Sequence, residues 1–273
     1  MFLITGGKGQ LGTILSGLLP NAICADVEML DITDLDAVHK FVKEHNVDTI
    51  INCAAYTAVD KAEDNEELAY KINVVGPENL AKSGCKIIHI STDYVFDGRG
   101  FKPYIETDET NPISVYGKTK KLGEDAVLKY AQTAVVIRTS WLYSYVGNNF
   151  VKTMRRLGSE KAELSVVTDQ VGTPTYAQDL AQAIVEVLKN LSPEKSGIYH
   201  FSNEGVCSWY DFAKEIMELS GLNCKVVPIP SSEYKTRAQR PFYSVLDKTK
   251  IKETFGVSIP HWKDSLKECL KQF

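Results

Sequence analysis

No two of the six cysteines, at positions 24, 53, 85, 207, 224 and 269, form a Cys-x-x-Cys pair. That absence removes the zinc-ribbon and thioredoxin-type readings. It leaves reduced, mostly buried thiols and the expectation of a cytoplasmic protein. The five histidines (39, 45, 89, 200, 261) show no metal-ligand spacing, so no metal is expected. His89, inside Lys86-Ile87-Ile88-His89-Ile90, reads as a strand residue. Positive charge is not in excess either: 31 Lys and Arg stand against 35 Asp and Glu, for a net charge of -4. Without a basic field, nucleic acid is excluded as a natural partner. No apolar run is long enough to span a membrane. Met1-Phe2-Leu3-Ile4-Thr5 runs straight into glycines with no basic segment before it, so it is not read as a signal peptide. Internal repeats and low-complexity tracts are missing as well.

What remains is an ordinary globular composition, 44% hydrophobic and 24% charged over 273 residues. That length suits one large α/β domain, or a main domain with a smaller appendage. Phe2-Leu3-Ile4-Thr5 has the character of a buried strand. Gly6-Gly7-Lys8-Gly9-Gln10-Leu11-Gly12 follows, and then a helical pattern through Leu15, Leu18 and Leu19. Glycines 6, 9 and 12 fit a phosphate-binding turn. The first permits the tight turn, the second lets backbone approach a pyrophosphate, and the third lets helix pack on strand. The inner spacing is one residue longer than in Gly-x-Gly-x-x-Gly. A second strand, Ala22–Ala25, ends at Asp26, about 20 residues after Gly6, where an acid is expected on the ribose hydroxyls. A carboxylate there favours NAD, and Lys8 offsets part of that preference. Asp31 and Ile32 are placed for the adenine, as acceptor and apolar surface, although Asp31 also reads as a turn residue.

Asp34 is a candidate cap for a helix over Leu35–Glu44. Asp48–Asn52 is the third strand and opens into Cys53-Ala54-Ala55-Tyr56-Thr57-Ala58, whose small residues let backbone lie close to a cofactor. One long helix is expected from Asp60 to Lys82. The fourth strand, Lys86–Ile90, ends in Ser91-Thr92-Asp93-Tyr94, hydroxyls at the carboxyl end of a central strand where open α/β sheets bind ligands. A helix from Tyr116 to Tyr130 carries Tyr116 and Lys120, four apart and on one face. A phenol titrates near ~10 in isolation, and a neighbouring ammonium lowers that value toward the working range of acid–base catalysis. The same spacing also describes an exposed pair on an amphipathic helix. Thr133–Arg138 is the fifth strand and leads into Thr139-Ser140-Trp141.

These segments together resemble the extended short-chain dehydrogenase/reductases. The resemblance rests on Thr-Gly-Gly-x-Gly-Gln-Leu-Gly, Asn-x-Ala-Ala-x-Thr-x-Val-Asp-x-Ala-Glu, Ser-Thr-Asp-Tyr-Val-Phe, Tyr-Gly-Lys-Thr-Lys and Arg-Thr-Ser-Trp. More narrowly the chain is similar to the dTDP-4-dehydrorhamnose reductases. The likeness continues through Gly147-Asn148-Asn149-Phe150, Asp169-Gln170-x-Gly172-x-Pro174-Thr175 and Arg240-Pro241. It implies a Rossmann-type, mainly parallel α/β sheet over residues 1–145 with returning core elements around 160–200. Residues 146–273 would be mainly a small substrate-binding lobe. It implies NADH or NADPH as cofactor and a dTDP-linked 4-keto-deoxysugar as substrate. Tyr116 would be the proton donor, Lys120 its electrostatic partner and ribose clamp, and Thr92 the group holding the C4 carbonyl. Gly9, Gln10 and Leu11 would meet the pyrophosphate, with Asp26, Asp31 and Ile32 around the adenosine. Ala54, Ala55, Tyr56 and Thr57 would line the rest of the dinucleotide. Thr92, Asp93 and Trp141 would face the sugar, and Arg240 would address the diphosphate.

One departure concerns assembly. Some members are described as pairing through acidic residues around magnesium, but the matching positions here are Ile14 and Gln272. Neither supplies an anionic oxygen, so neither that metal nor that dimer is carried over, although a homodimer of another kind stays open. The distal third reads as a helix over Tyr176–Asn190, a strand over Gly197–Phe201, a helix over Trp209–Leu219 and a proline-bearing edge or terminal strand over Lys225–Pro230. Ser231–Pro241, with Arg237 and Arg240, reads as a substrate-facing loop, or as a solvated one. Two other functions fit the same pattern: reduction of a different dTDP-4-keto-deoxysugar, and a cofactor-binding regulatory subunit without turnover, as in methionine adenosyltransferase.

Overall fold

A computed structural model describes residues 1–273. The first half holds β1 (Phe2–Thr5), α1 (Gln10–Leu18), β2 (Ile23–Ala25), α2 (Leu35–Glu44), β3 (Thr49–Asn52), α3 (Val59–Ala62), α4 (Glu66–Tyr70), α5 (Gly76–Lys82), β4 (Lys86–Thr92), α6 (Val115–Tyr130) and β5 (Ala134–Thr139). The second half holds β6 (Leu142–Tyr143), α7 (Phe150–Glu160), β7 (Glu163–Val167), β8 (Val171–Gly172), β9 (Thr175–Tyr176), α8 (Ala177–Lys189), β10 (Gly197–His200), β11 (Cys207–Ser208), α9 (Trp209–Leu219), β12 (Lys225–Ile229), α10 (Thr249–Phe255) and α11 (Trp262–Leu270).

Six parallel strands form the main sheet in the order β10-β5-β4-β3-β1-β2. The central strands are largely apolar because helices cover both faces, with buried polar side chains such as Asn52, His89 and Arg138 among them. One face packs Leu11, Ile14 and Leu15 of α1 against Leu180, Ile184 and Val187 of α8. Ile14 is therefore a core residue. The other face packs Val38 of α2, Leu80 of α5 and Val127 of α6 over Ile50, Ile87 and Val136. A third cluster, with Val151, Phe212, Ile216, Trp262 and Leu266, is the interior of the distal lobe. The chain runs outward from β1 to β2 and then crosses to β3 on the other side of β1. The resulting crevice, at the carboxyl ends of the strands, is where open α/β sheets take ligands.

The chain returns to the main sheet through α8 and β10, with Gly197 opposite Val135 of β5. β7 instead pairs with β12 in a separate two-stranded sheet, where Pro228 faces Val166. The single helix expected over Asp60–Lys82 is broken. α3 stops at Ala62, and α4 and α5 flank one π-helical turn over Lys71–Val75. The buried amide of Asn73 lies in that turn. It accepts from Tyr56 N at 2.8 Å and donates to Tyr56 O at 3.2 Å and to Thr119 Oγ1 at 3.1 Å. A π turn widens the helix by one residue and re-aims a side chain, here toward the segment after β3.

Candidate active site

The crevice is a cleft of roughly 790 Å³, within the range of small-molecule sites. At one end the glycine turn is closed by Gly9 N donating to Gly6 O at 3.0 Å. Gly6 sits at φ +67, and a Cβ on Gly12 would drive into Gly6 O, so α1 can start this close to β1 only without side chains there. The unpaired N–H groups of the first turn of α1 then border the cleft, the arrangement that favours phosphate. The Gln10 side chain is turned to the distal lobe, and its Oε1 accepts from Ser144 Oγ and Asn149 Nδ2, each at 2.9 Å. Asn149 also caps α7 through Lys152 N at 3.1 Å. The Gly-Asn-Asn-Phe motif is thus a clasp between lobe and glycine turn.

At the β2 side, Lys8 N donates to Asp26 Oδ2 at 2.9 Å, which fixes the carboxylate toward the cleft. The Lys8 ammonium is held by exposed Glu28 at 2.9 Å, next to the same edge. Asp31 Oδ1 accepts from Thr33 N at 2.9 Å and Thr33 Oγ1 at 2.7 Å, and these bonds hold its carboxyl below the usual range. Asp31 is therefore both a turn residue and part of the cleft wall.

The other end is built by β4, β5 and α6. Ser114 caps α6 by accepting from Gly117 N at 3.1 Å, and Glu63 Oε1 accepts from Val115 N at 2.9 Å. A Cβ on Gly117 would collide with Tyr94 O, so the glycine between Tyr116 and Lys118 lets the first turn of α6 lie against the end of β4. Tyr116 packs edge-on to Tyr94, with ring centroids 5.5 Å apart. Thr92 Oγ1 accepts from Tyr94 N at 3.2 Å and donates to Asp93 Oδ1 at 3.1 Å. Burial pushes the Asp93 carboxyl up to about 6, and its Oδ2 is buried with no partner in the protein. Trp141 holds a left-handed backbone, φ +48, that costs a bulky residue of order 1–3 kcal/mol. It lies stacked on Trp209 with centroids 3.7 Å apart, which braces it over the cleft.

One electrostatic expectation is corrected. Burial pushes the Tyr116 phenol well above its ordinary value, with Asp93 and Tyr94 pushing the same way, while hydrogen bonding with Thr92 opposes them. The Lys120 ammonium does not offset this, because its Nζ donates to Ile90 O at 2.7 Å and lies 3.4 Å from His89 Nε2. Burial lowers Lys120 to about 8, against an upward pull from Glu124.

Gly6, Gly9, Gln10, Leu11, Gly12, Asp26, Asp31, Ile32, Ala54, Ala55, Thr57, Thr92, Asp93, Tyr116, Lys120 and Trp141 all border this one cleft. Tyr56 and Arg240 do not. Tyr56 is tied through its backbone to Asn73. Arg240 bonds Asp60 Oδ2 at 2.6 Å and the Tyr94 hydroxyl at 3.3 Å, holding the Ser231–Pro241 loop against α3. Asn73, Trp209, Asn52 and His89 carry site geometry that sequence reasoning missed. Asn52 and Asn149 lay within recognisable motifs, at the head of Asn-x-Ala-Ala and inside Gly-Asn-Asn-Phe, but neither motif told what its amide would bond.

Comparison with known proteins decides the family. The model of the RmlD substrate binding domain matches residues 1–273. A dTDP-4-dehydrorhamnose reductase from Aggregatibacter actinomycetemcomitans is 41% identical, over 97% of this chain and 96% of its own length. The chain belongs to the dTDP-4-dehydrorhamnose reductase family. Among solved structures, the Clostridium acetobutylicum dTDP-4-dehydrorhamnose reductase superposes with a TM-score of 0.95 at 47% identity, covering 99% of this chain and 98% of that one. The Bacillus anthracis enzyme, solved in complex with NADP, superposes at 0.96 with 40% identity, covering 100% and 99%. The Rossmann-type fold of this family is the six-stranded parallel architecture described above. No helix of the protein is long and apolar enough to cross a membrane.

Proposed function

We propose that the protein reduces the C4 ketone of dTDP-4-dehydro-L-rhamnose to dTDP-L-rhamnose with NADPH or NADH, supplying a nucleotide sugar for cell-surface polysaccharide. One observation carries the reading: a single cleft with a phosphate-type glycine turn at one end and Thr92, Tyr116 and Lys120 at the other. Relatives of that name match over nearly the full chain. A further relative, 41% identical, is the Bacillus subtilis spore coat polysaccharide biosynthesis protein SpsK.

The bound nicotinamide supplies hydride to C4. The protein's own groups place the ketone and handle the proton. The Thr92 hydroxyl, fixed at the end of β4, holds the carbonyl oxygen beside Tyr116. Burial keeps Tyr116 a phenol at neutral pH, the state needed to give a proton to the C4 oxyanion as it forms. Lys120 has donors left beyond Ile90 O for the ribose. Asp26 suits a free 2′-hydroxyl, and Lys8 beside it suits a 2′-phosphate, so both cofactors are accommodated. Trp141 and Asp93 form the wall for the deoxysugar.

The test is to incubate the protein with NADPH or NADH and dTDP-4-dehydro-L-rhamnose, following reduced-nicotinamide absorbance and identifying the sugar. Stoichiometric oxidation with dTDP-L-rhamnose as product is expected. The opposite C4 configuration would point to another dTDP-4-keto-6-deoxysugar, and binding without turnover to a regulatory subunit.

A further inference from the structure

Three buried polar side chains form a row across the central sheet. Thr5 of β1, Asn52 of β3 and His89 of β4 are register partners, Thr5 opposite Asn52 and Asn52 opposite His89. On parallel strands, partners at one register project from the same face. All three are essentially inaccessible to solvent. The hydrogen bonds along the row fix the placement of every proton. Ala54 N, which can only donate, reaches Asn52 Oδ1 at 3.2 Å, and Thr5 Oγ1 donates to the same oxygen at 2.7 Å. The amide end of Asn52 therefore faces His89 Nδ1, 3.0 Å away. Nδ1 must accept, so a neutral imidazole carries its proton on Nε2. That N–H points at Lys120 Nζ, 3.4 Å away.

An amine at Lys120 can accept the Nε2–H and still donate to Ile90 O. An ammonium has no lone pair and meets the N–H donor to donor. The other groups facing Nζ do not cancel this. Cys53 is a half-buried thiol at the cleft wall, pushed up to about 12 and so uncharged. Tyr116 is a phenol at neutral pH. Glu124, one turn further along α6, pulls Lys120 the other way, toward ammonium, but its carboxylate is bonded to Arg138 and Ser91 and burial outweighs that pull. Burial and the neighbouring Lys120 hold His89 well below its ordinary value, consistent with a neutral ring.

We propose that Thr5, Asn52 and His89 act as a positioning row that presents the His89 Nε2–H to Lys120, favours amine over ammonium there, and so sets the proton state of the lysine behind Tyr116. The consequence for turnover rests on the reductase reading. The row itself does not, and it is tested without turnover.

The experiment is nuclear magnetic resonance of the full chain carrying ¹⁵N-histidine and ¹³Cε-lysine. The His89 and Lys120 signals are assigned by their loss in His89→Gln and Lys120→Met. The native protein is expected to show a pyrrole-type Nε2 and pyridine-type Nδ1 at His89, with no imidazolium forming between about pH 5 and pH 8. A proton on Nδ1, or an imidazolium in that range, overturns the proposal with no variant needed. In His89→Leu, loss of the N–H is expected to move the Lys120 titration up by about one unit, since a hydrogen bond that favours the neutral form is gone. An apolar residue acting through burial alone would move it down or leave it, and either result overturns the tuning. Where His89→Leu folds poorly, Asn52→Asp serves. Its carboxylate keeps both donors at Oδ1 and draws the proton to Nδ1, so a tautomer switch with no rise in the Lys120 titration refutes the tuning. Failure of the sugar assay would leave these spectra unchanged, so the two readings fail separately.

Discussion

Glu124→Gln tests what anchors the helix that carries Tyr116 and Lys120. Glu124 of α6 is fully buried, and Arg138 of β5 is 1% exposed. Glu124 Oε1 accepts from Arg138 Nε at 2.9 Å and from Ser91 Oγ at 2.6 Å, while Oε2 accepts from Arg138 Nη2 at 2.8 Å. The guanidinium also lies over the Phe96 ring, 5.1 Å from its centroid, and its Nη1 has no partner. Glutamine keeps the shape but turns one acceptor into a donor and leaves the cation buried without its counter-charge. Breaking a buried pair from one side typically costs ~3–5 kcal/mol. One acceptor survives, so the lower end, ~3 kcal/mol, is expected, a large share of an ordinary stability of ~5–15 kcal/mol. Urea unfolding should show a lower midpoint at an unchanged slope. Loss of the Glu124 charge should also move Lys120 further down, because Glu124 is the group pulling it up. Replacing both partners, as Glu124→Leu with Arg138→Met, should recover most of the stability, since a packed apolar pair carries no desolvation cost. A single variant within ~1 kcal/mol of the parent, or a double variant as unstable as the single, would refute the ion-pair anchor.

Three other substitutions address the cleft. Tyr116→Phe should lower kcat by ~10²–10⁴-fold while leaving dinucleotide affinity nearly unchanged, and near-normal turnover would remove Tyr116 as proton donor. Asp26→Ala should weaken NADH more than NADPH in a fluorescence titration, because only the free 2′-hydroxyl donates to this carboxylate; equal weakening would show that Asp26 does not read the ribose. Arg240→Ala should raise KM for the dTDP-sugar and keep the NADPH dissociation constant within about twofold. Wild-type kinetics would leave Arg240 as a loop clasp to Asp60, worth ~0–1 kcal/mol for a partly exposed pair.

Much of the architecture was legible because its signals are local. An apolar tetrapeptide followed by Gly6, Gly9 and Gly12 marks strand, turn and helix within a dozen residues. The hydroxyls at the end of β4 and the tyrosine–lysine pair on α6 are equally compact. What escaped depends on contacts that no local pattern encodes. The π turn at Asn73 exists because its amide reaches Tyr56, 17 residues back, and Thr119, 46 residues on. Trp209 braces Trp141 from a different lobe. His89 looked like strand filler and Asn52 only like the head of a motif, since their pairing arises from register between strands.

Lys120 shows where a motif stops being informative. Spacing four residues after Tyr116 puts it on the right face of α6, and that much follows from helical geometry. From there a flexible side chain goes where its hydrogen bonds are. In this fold the Ile90 carbonyl and the His89 imidazole, both on β4, claim Nζ. The strand therefore decides how the lysine presents its charge to the phenol. A chain with the same Tyr-x-x-x-Lys but no polar side chain at the His89 position would carry the same motif and a differently tuned acid.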